Sequence, residues 1–268
     1  MQRIVCFISD FGLDDTWVGV CHAVIHRACP QARVVDLAHQ LPPFDIRKGA
    51  AVAASGVWQL PEAIHLVVVD PGVGGGRRDL CLVTAKGALL VGPDNGVLIP
   101  ASWRADGIVE AYALDPSRIS AQPALPTFHA RDVLAPAAAA LACGVEPRAL
   151  GAAVDPAALV PAPFDRSHAE NGSLVADVLD VDRFGSIRLG IEPADVEHLG
   201  GIGHTVEMSF GHLTVKVPLA ATFADVAEGD PVALVDSSGW LTLALRVGSA
   251  AERWGIEPGE KVRVRHGD

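Results

Sequence analysis

Ile64-His65-Leu66-Val67-Val68-Val69 leads directly into Asp70-Pro71-Gly72-Val73-Gly74-Gly75-Gly76-Arg77-Arg78. The first segment is an apolar run of strand length, the pattern of a strand buried on both faces. In the second, glycine lets the backbone turn sharply while Asp70 and Arg77 reach toward a pocket at the strand's end. The loop looks like a phosphate loop only superficially, because it lacks a Gly-Lys-Ser/Thr ending, and it is not placed as a dinucleotide fingerprint. On its own it reads equally well as a salt-bridged loop.

Elements on either side of this stretch alternate. Upstream, residues 4–8 read as a buried strand ending at Ser9-Asp10-Phe11-Gly12, residues 17–27 as a helix stopped by Pro30, residues 34–37 as a short strand and residues 46–58 as an alanine-rich helix. Downstream, residues 80–84 and 88–91 are predicted strands, the second ending at Gly92-Pro93-Asp94-Asn95-Gly96, and an alanine-rich helix is expected from His129 toward Cys143. This alternation predicts an N-terminal layered α/β domain over residues 1–160 with a mostly parallel central sheet. A proline-rich passage at 156–163 marks the boundary. Beyond it, residues 174–179, 186–189, 205–208, 213–217, 232–235, 241–247 and 261–264 read as short strands separated by glycine and aspartate. They predict a smaller antiparallel β-barrel, or a compact sandwich, over residues 168–268.

The composition narrows the partners. A chain of 268 residues, 50% hydrophobic and 20% charged, suits a globular protein with a substantial core rather than a disordered one. A net charge of -11 with no basic patch argues against nucleic acid. No apolar run reaches the roughly 20 residues of a bilayer span, so no membrane partner is expected. Residues 4–8 look like a first strand and not an export signal. Cys6, Cys21, Cys29, Cys81 and Cys143 are too few and too scattered for a disulfide scaffold, which favours a reducing, cytoplasmic setting. His22 and His26 stand one helical turn apart, but Ala23 replaces the glutamate of a His-Glu-x-x-His motif, so no metal is expected. No Gly-x-Ser-x-Gly elbow supports a serine triad. For Trp17, Trp58, Trp240 and Trp254, ordinary packing is the first reading and ligand stacking the second.

Two further clusters carry chemistry. Asp10, with Asp14 and Asp15, can hold sugar hydroxyls, position a cation, move a proton or simply cap the next helix. Phe128-His129-Ala130-Arg131-Asp132 supplies an imidazole that titrates near neutrality, which a carboxylate can orient, beside a multidentate arginine. A water held among Asp70, Arg77 and His129 can be oriented and stabilised as hydroxide-like charge develops. The plainer alternative is a surface histidine with helix-capping ion pairs.

In this order the segments resemble the S-adenosyl-L-methionine hydroxide adenosyltransferase family, relatives of the adenosyl chlorinases and fluorinases. The resemblance runs from Phe7-Ile8-Ser9-Asp10-Phe11-Gly12 nearly to the C terminus. It implies that Asp70, Arg77 and His129 form a water-activating triad for attack on the 5' carbon of S-adenosyl-L-methionine, giving adenosine and L-methionine with no cofactor. It further implies that Asp10 binds the ribose hydroxyls, that Asp94 and Asn95 shape the pocket, and that the barrel contacts adenine and methionine across a homotrimer interface. Asp182-Arg183-Phe184-Gly185-Ser186 is similar to the family's Asp-x-Phe-Gly-Asn segment, and Ser237-Ser238-Gly239-Trp240 and residues 246–250, with Ser249, to its late ligand wall. Ser186 and Ser249 stand where the family has asparagine, Arg188-Leu189 where it has Thr-Asn, Thr242 where it has glutamate and Trp17 where it has tyrosine. These departures bear on substrate affinity and selectivity more than on the nucleophile. A 5'-halogenating enzyme and a non-catalytic adenosyl-ligand sensor are the alternatives.

Overall fold

Strand β1 (Ile4–Ser9) runs parallel to β2 (Arg33–Ala38) on one side and to β3 (Ile64–Val68) on the other. This arrangement comes from a computed structural model that describes residues 4–120 and 123–267. The chain divides between Pro163 and Phe164 into two units. In the first, β4 (Asp79–Thr84), β5 (Leu89–Pro93), β6 (Ile108–Leu114) and β7 (Gly151–Ala153) complete a seven-stranded sheet of order β2-β1-β3-β5-β4-β6-β7. The four strands β2-β1-β3-β5 are parallel, as the alternation predicts, whereas β4, β6 and β7 are antiparallel to their neighbours. The reversal follows from chain length: only a short turn separates β4 from β5, too little for a parallel crossover. Strand β6, absent from the sequence reading, lacks a clean two-residue alternation of burial.

Helices α1 (Trp17–Ala28), α2 (Ile46–Gln59), α3 (Ile99–Trp103), α4 (Pro116–Ile119) and α5 (Ala135–Ala142) accompany this sheet. Helix α1 buries Val18, Cys21 and Ile25, a stripe at helical spacing. Asp45 caps α2 by accepting from the Lys48 N–H at 2.8 Å, and small residues let α2 lie close to the sheet: a Cβ on Gly49 would stand 2.8 Å from the Val69 side chain. The helix expected to start at His129 instead opens with a π turn over Ala130–Leu134. Pro136 explains it, since proline cannot donate and its ring collides with the carbonyl four residues back, so the first turn widens. Cys29 and Cys143, at the C-terminal ends of α1 and α5, are joined in a disulfide, with Cα atoms 5.9 Å apart. One bridge is no scaffold, but it removes the premise of the reducing-compartment reading, because helix packing brought together two cysteines 114 residues apart.

His65 carries a consequence for acid stability. It is fully buried on β3, with Nε2 3.0 Å from the Leu60 carbonyl, and burial pushes its pKa from 6.5 down to about 4 against a smaller opposing effect of that bond. The unfolded chain therefore binds more protons than the folded one between these values, and stability falls as pH drops through that window, by about 3 kcal/mol. Urea denaturation between pH 7 and pH 4 is expected to show this fall, reduced by that amount in His65→Gln, which keeps a donor for Leu60.

The second unit holds β8 (His168–Glu170), β9 (Ser173–Val181), β10 (Ile187–Leu189), β11 (Thr205–Phe210), β12 (Leu213–Pro218), β13 (Pro231–Val235), β14 (Leu241–Leu245) and β15 (Lys261–Gly267). Their pairings are antiparallel, in the order β12-β11-β15-β9-β10-β14-β13, with β8 beside β9. Just past β12, Ala220 N–H donates to the Ala233 carbonyl of β13 at 2.8 Å, which brings the sheet's ends together into a nearly closed barrel. Val178, Leu189, Val206, Met208, Leu243 and Val262 fill its core, and Trp240 packs at 2% exposure. Two short helices, α6 (Pro193–Val196) and α7 (Ala250–Trp254), flank the strands. No helix among the described residues is long and apolar enough to cross a membrane.

Candidate active site

The strand order reverses direction between β1 and β3: from β1 the chain continues to β2 on one side, then returns to β3 on the other. In an open parallel sheet such a point leaves a crevice beyond the carboxyl ends of the strands, because the following loops diverge. A cavity of about 810 Å³ lies there, lined by Asp10 and Phe11 after β1 and by Val68 and Asp70 at the end of β3. The 125–131 segment, with Phe128, His129 and Arg131, closes another wall, and Trp17, Pro43, Phe44 and Val73 complete it. This volume suits a small-molecule ligand. Asp10, Trp17, Asp70 and His129, singled out in the sequence, thus share one cavity.

One wall is aromatic. Phe11 stands edge-on to Trp17 at 5.8 Å and to Phe128 at 6.0 Å between ring centroids, so three rings form a continuous apolar surface. Phe44, 71% exposed, holds a left-handed backbone (φ 68°) and donates its N–H to Asp10 Oδ2 at 2.8 Å. Phe11, Phe44 and Phe128 were not among the sequence candidates as ring contacts, since isolated aromatics carry no periodic signal.

Asp70 and His129 form the polar wall, and Arg77 and Asp79 behind them complete a relay of four side chains. Arg77 clasps both oxygens of Asp70, its Nε donating to Oδ1 at 3.0 Å and a terminal nitrogen to Oδ2. Its other terminal nitrogen donates to Asp79 Oδ1 at 2.6 Å, and Asp79 Oδ2 lies 2.7 Å from His129 Nδ1. Burial opposes the Arg77 charge, but the hydrogen bonds and charges of Asp70 and Asp79 outweigh it and hold the guanidinium above its ordinary range. A carboxylate only accepts, so His129 donates its Nδ1–H to Asp79, and this bond fixes the orientation of the ring that lines the cavity. Asp79 is the carboxylate that orients His129, a residue the sequence reading missed. Its signal was position: Arg77 and Asp79 stand two apart at the start of a strand and so face the same side. The neighbouring Asp132 is instead clasped by Arg131, at 2.6 and 2.7 Å, and accepts from the Leu125 N–H at 2.9 Å, which ties down the 125–128 segment.

Asp94 and Asn95 are not among the lining residues. Asp94 pairs with Arg78 and accepts from the Val160 N–H at 2.9 Å. Asn95 donates to the Val69 carbonyl at 2.8 Å and accepts from the Val97 N–H at 3.2 Å, bracing the end of β3 just before Asp70.

In the barrel, Asp182 Oδ1 accepts from the Phe184 and Ser186 N–H groups at 2.8 and 2.9 Å, closing a tight turn that leaves Phe184 78% exposed and Ser186 buried. The turn rests on α7, whose cap Ser249 accepts from the Glu252 N–H at 3.1 Å. Gly185 is left-handed (φ 82°), and a Cβ there would stand 2.1 Å from the Ser249 hydroxyl, so only glycine fits. Ser237 lies in the turn where Asp236 accepts from the Ser238 N–H at 2.8 Å. Arg188 reaches Asp236 at 2.7 Å, Asp180 at 3.2 Å and Asp182 at 3.8 Å, linking the two turns. Thr242 is buried, its hydroxyl directed to the Trp240 carbonyl at 3.3 Å. Among the described residues, no group of three or more His, Cys, Asp or Glu side chains is placed to hold a metal ion.

A cavity at a sheet's switch point, with an oriented imidazole, paired carboxylates and an aromatic wall, defines an enzyme acting on a small molecule. Residues 5–151 match the SAM hydroxide adenosyltransferase N-terminal domain and residues 176–263 the corresponding C-terminal domain. The chain is 41% identical over 264 residues to the (R)-S-adenosyl-L-methionine hydrolase of Salinispora arenicola, an alignment covering 98% of each. It is 29% identical to the fluorinase of Nocardia brasiliensis over 99% of this chain and 98% of that one. A crystal structure of an uncharacterized conserved protein from Thermotoga maritima, 29% identical, matches with a TM-score of 0.88 over 97% of this chain and 99% of that one. The protein belongs to the SAM hydroxide adenosyltransferase family.

Proposed function

We propose that the protein hydrolyses S-adenosyl-L-methionine to adenosine and L-methionine, and that the relay from Asp70 to His129 prepares the water. The observation that carries this reading is the 2.7 Å contact between Asp79 and His129 Nδ1, which orients the ring of a residue that lines the cavity. A water held between Asp70 and His129 attacks the 5' carbon, and the sulfonium leaves as neutral methionine with the bonding electrons. The proton the water loses passes to His129 Nε2, and Asp79 stabilises the imidazolium formed. Arg77 acts through the carboxylates it clasps. Asp70 and Asp79 set two carboxylates against the single guanidinium of Arg77, a charge balance complementary to the substrate's sulfonium. Asp10 takes the ribose hydroxyls, and the rings of Phe11, Trp17 and Phe128 supply apolar surface for the adenosyl group.

The barrel residues Asp182, Phe184, Ser186, Ser237 and Ser249 belong to the same proposal as contacts for the rest of the substrate, as do Asp94 and Asn95 as supports of the pocket. Support for the former is the exposure of Phe184 beside the Ser249 cap. A homotrimer with sites at subunit interfaces completes it. It is supported by family membership and by the exposed apolar side chains Leu13, Trp17, Phe44, Val73 and Leu125, which leave apolar surface for a partner copy to cover.

Incubation with S-adenosyl-L-methionine, with and without chloride or fluoride, followed by mass spectrometry tests the reaction. Adenosine and methionine are expected in all cases. A 5'-halogenated nucleoside assigns the chemistry to halide transfer, and binding without product assigns a sensor. His129→Ala is expected to retain its fold and lose turnover by about 10²-fold or more.

A further inference from the structure

The turn that presents Asp10 and Phe11 is tied to the sheet edge by side chains the proposed chemistry does not use. Ser9 is fully buried at the end of β1, and its Oγ lies 2.7 Å from His39 Nδ1. The same hydroxyl accepts from the Phe11 N–H at 3.4 Å, while the His39 carbonyl accepts from the Gly12 N–H at 2.7 Å. His39 is 6% exposed, with Phe7 packed edge-on at 4.6 Å, and its Nε2 lies 2.9 Å from Asp36 Oδ1 on β2. His22 Nε2, from α1, reaches the same oxygen at 2.8 Å.

Burial works against the Asp36 charge, but His39 and His22 outweigh it and hold the carboxyl below its ordinary range. His22 Nε2 hydrogen-bonds the Asp36 oxygen, whereas His39 Nε2 meets it at ion-pair distance only, so the side-chain link from His39 that bears on the turn is its hydrogen bond with the Ser9 hydroxyl. The Ser9 oxygen in turn takes the Phe11 N–H.

A hydroxyl, an imidazole and a carboxylate in this order also describe an activated serine nucleophile. Ser9 cannot serve as one, since it has no exposed surface and does not line the cavity. What the chain can do is fix the backbone of residues 9–12, the segment from which Asp10 and Phe11 enter the cavity. We infer that Ser9, His39 and Asp36 are positioning residues that clamp the Asp10–Phe11 turn in its substrate-holding conformation. The effect on the turn stands on geometry alone, and the effect on KM rests on the reading of Asp10 as a ribose contact.

Ser9→Ala deletes one oxygen with little change of volume, His39→Phe keeps a ring without its nitrogens, and His39→Asn returns an acceptor near the Nδ1 position. Amide exchange at Phe11 and Gly12 is expected to quicken about tenfold in Ser9→Ala and His39→Phe, the scale of one net hydrogen bond. KM for S-adenosyl-L-methionine is expected to rise about five- to twentyfold, with kcat within about threefold of wild type. His39→Asn is expected to recover most of both. His26→Ala, on the same helix as His22 but outside the chain, is expected to change neither. If His39→Phe does not fold, Ser9→Ala decides. Unchanged exchange at Phe11 and Gly12 in Ser9→Ala overturns the clamp, whatever the substrate. So does a collapse of kcat at constant KM, which would place Ser9 in the chemistry. A wild-type protein inert toward S-adenosyl-L-methionine overturns the proposed function and leaves the exchange result to decide the clamp.

Discussion

Asp79→Asn is expected to lower kcat for S-adenosyl-L-methionine hydrolysis by about 10²–10⁴-fold with KM little changed. Asp79 accepts from Arg77 through one oxygen and from His129 through the other, and asparagine of the same shape has only one oxygen to offer. If that oxygen faces Arg77, which holds a permanent charge, the amide NH₂ faces His129. The imidazole must then turn Nδ1 into an acceptor and carry its proton on Nε2, where it can no longer take one from water. Because Asp79 does not line the cavity, substrate binding is spared. Steady-state kinetics on adenosine release, with circular dichroism to verify folding, measures the effect. A kcat within threefold of wild type would remove Asp79 from the relay. The double variant Asp79→Asn/His129→Ala is expected to be about as slow as His129→Ala alone, since Asp79 acts through that ring.

Gly74→Ala is expected to cost much stability for a single added methyl group. Gly74 has a left-handed backbone (φ 76°), and a Cβ there would stand 2.4 Å from the Pro126 carbonyl oxygen. The left-handed conformation costs about 1–2 kcal/mol for alanine, and forcing two backbone segments apart adds about 1–3 kcal/mol. Calorimetry is expected to show Tm lowered by roughly 5–15 °C. Activity should fall as well, because the separated segments are those that carry Asp70 with Arg77 and, three residues beyond Pro126, His129. Gly76→Ala is the control for stability: nothing lies within 4 Å of its Cβ and its backbone is not left-handed. An equal loss at both positions would remove the Pro126 contact as the cause.

Much of the site was readable because its residues sit in local patterns. Asp10 and Asp70 each follow an apolar strand run, and His129 precedes an alanine-rich helix, so their neighbours mark them as loop residues at element ends. The chain linking Asp70, Arg77, Asp79 and His129 was readable only in part. Asp79 looks like an ordinary polar start to a strand, and its partner His129 is 50 residues away. Phe44 lies between Pro43 and Asp45 with no periodic signal, and it reaches Asp10 only because the 39–45 segment folds back over β1. The Ser9–His39–Asp36 chain is likewise scattered over thirty residues and hidden in what reads as two unremarkable strands.

The sequence by itself determined the two-part architecture, the parallel core of the first sheet and the places where reactive loops emerge. These follow from side-chain periodicity and from glycine and proline, which act over a few residues. Tertiary structure decided which carboxylate orients His129, the reversal to antiparallel strands beyond β5, the π turn before α5 and the meeting of Cys29 with Cys143. Each of these depends on distance between segments far apart in the chain, a quantity that burial and packing set only once the sheet and its helices have assembled.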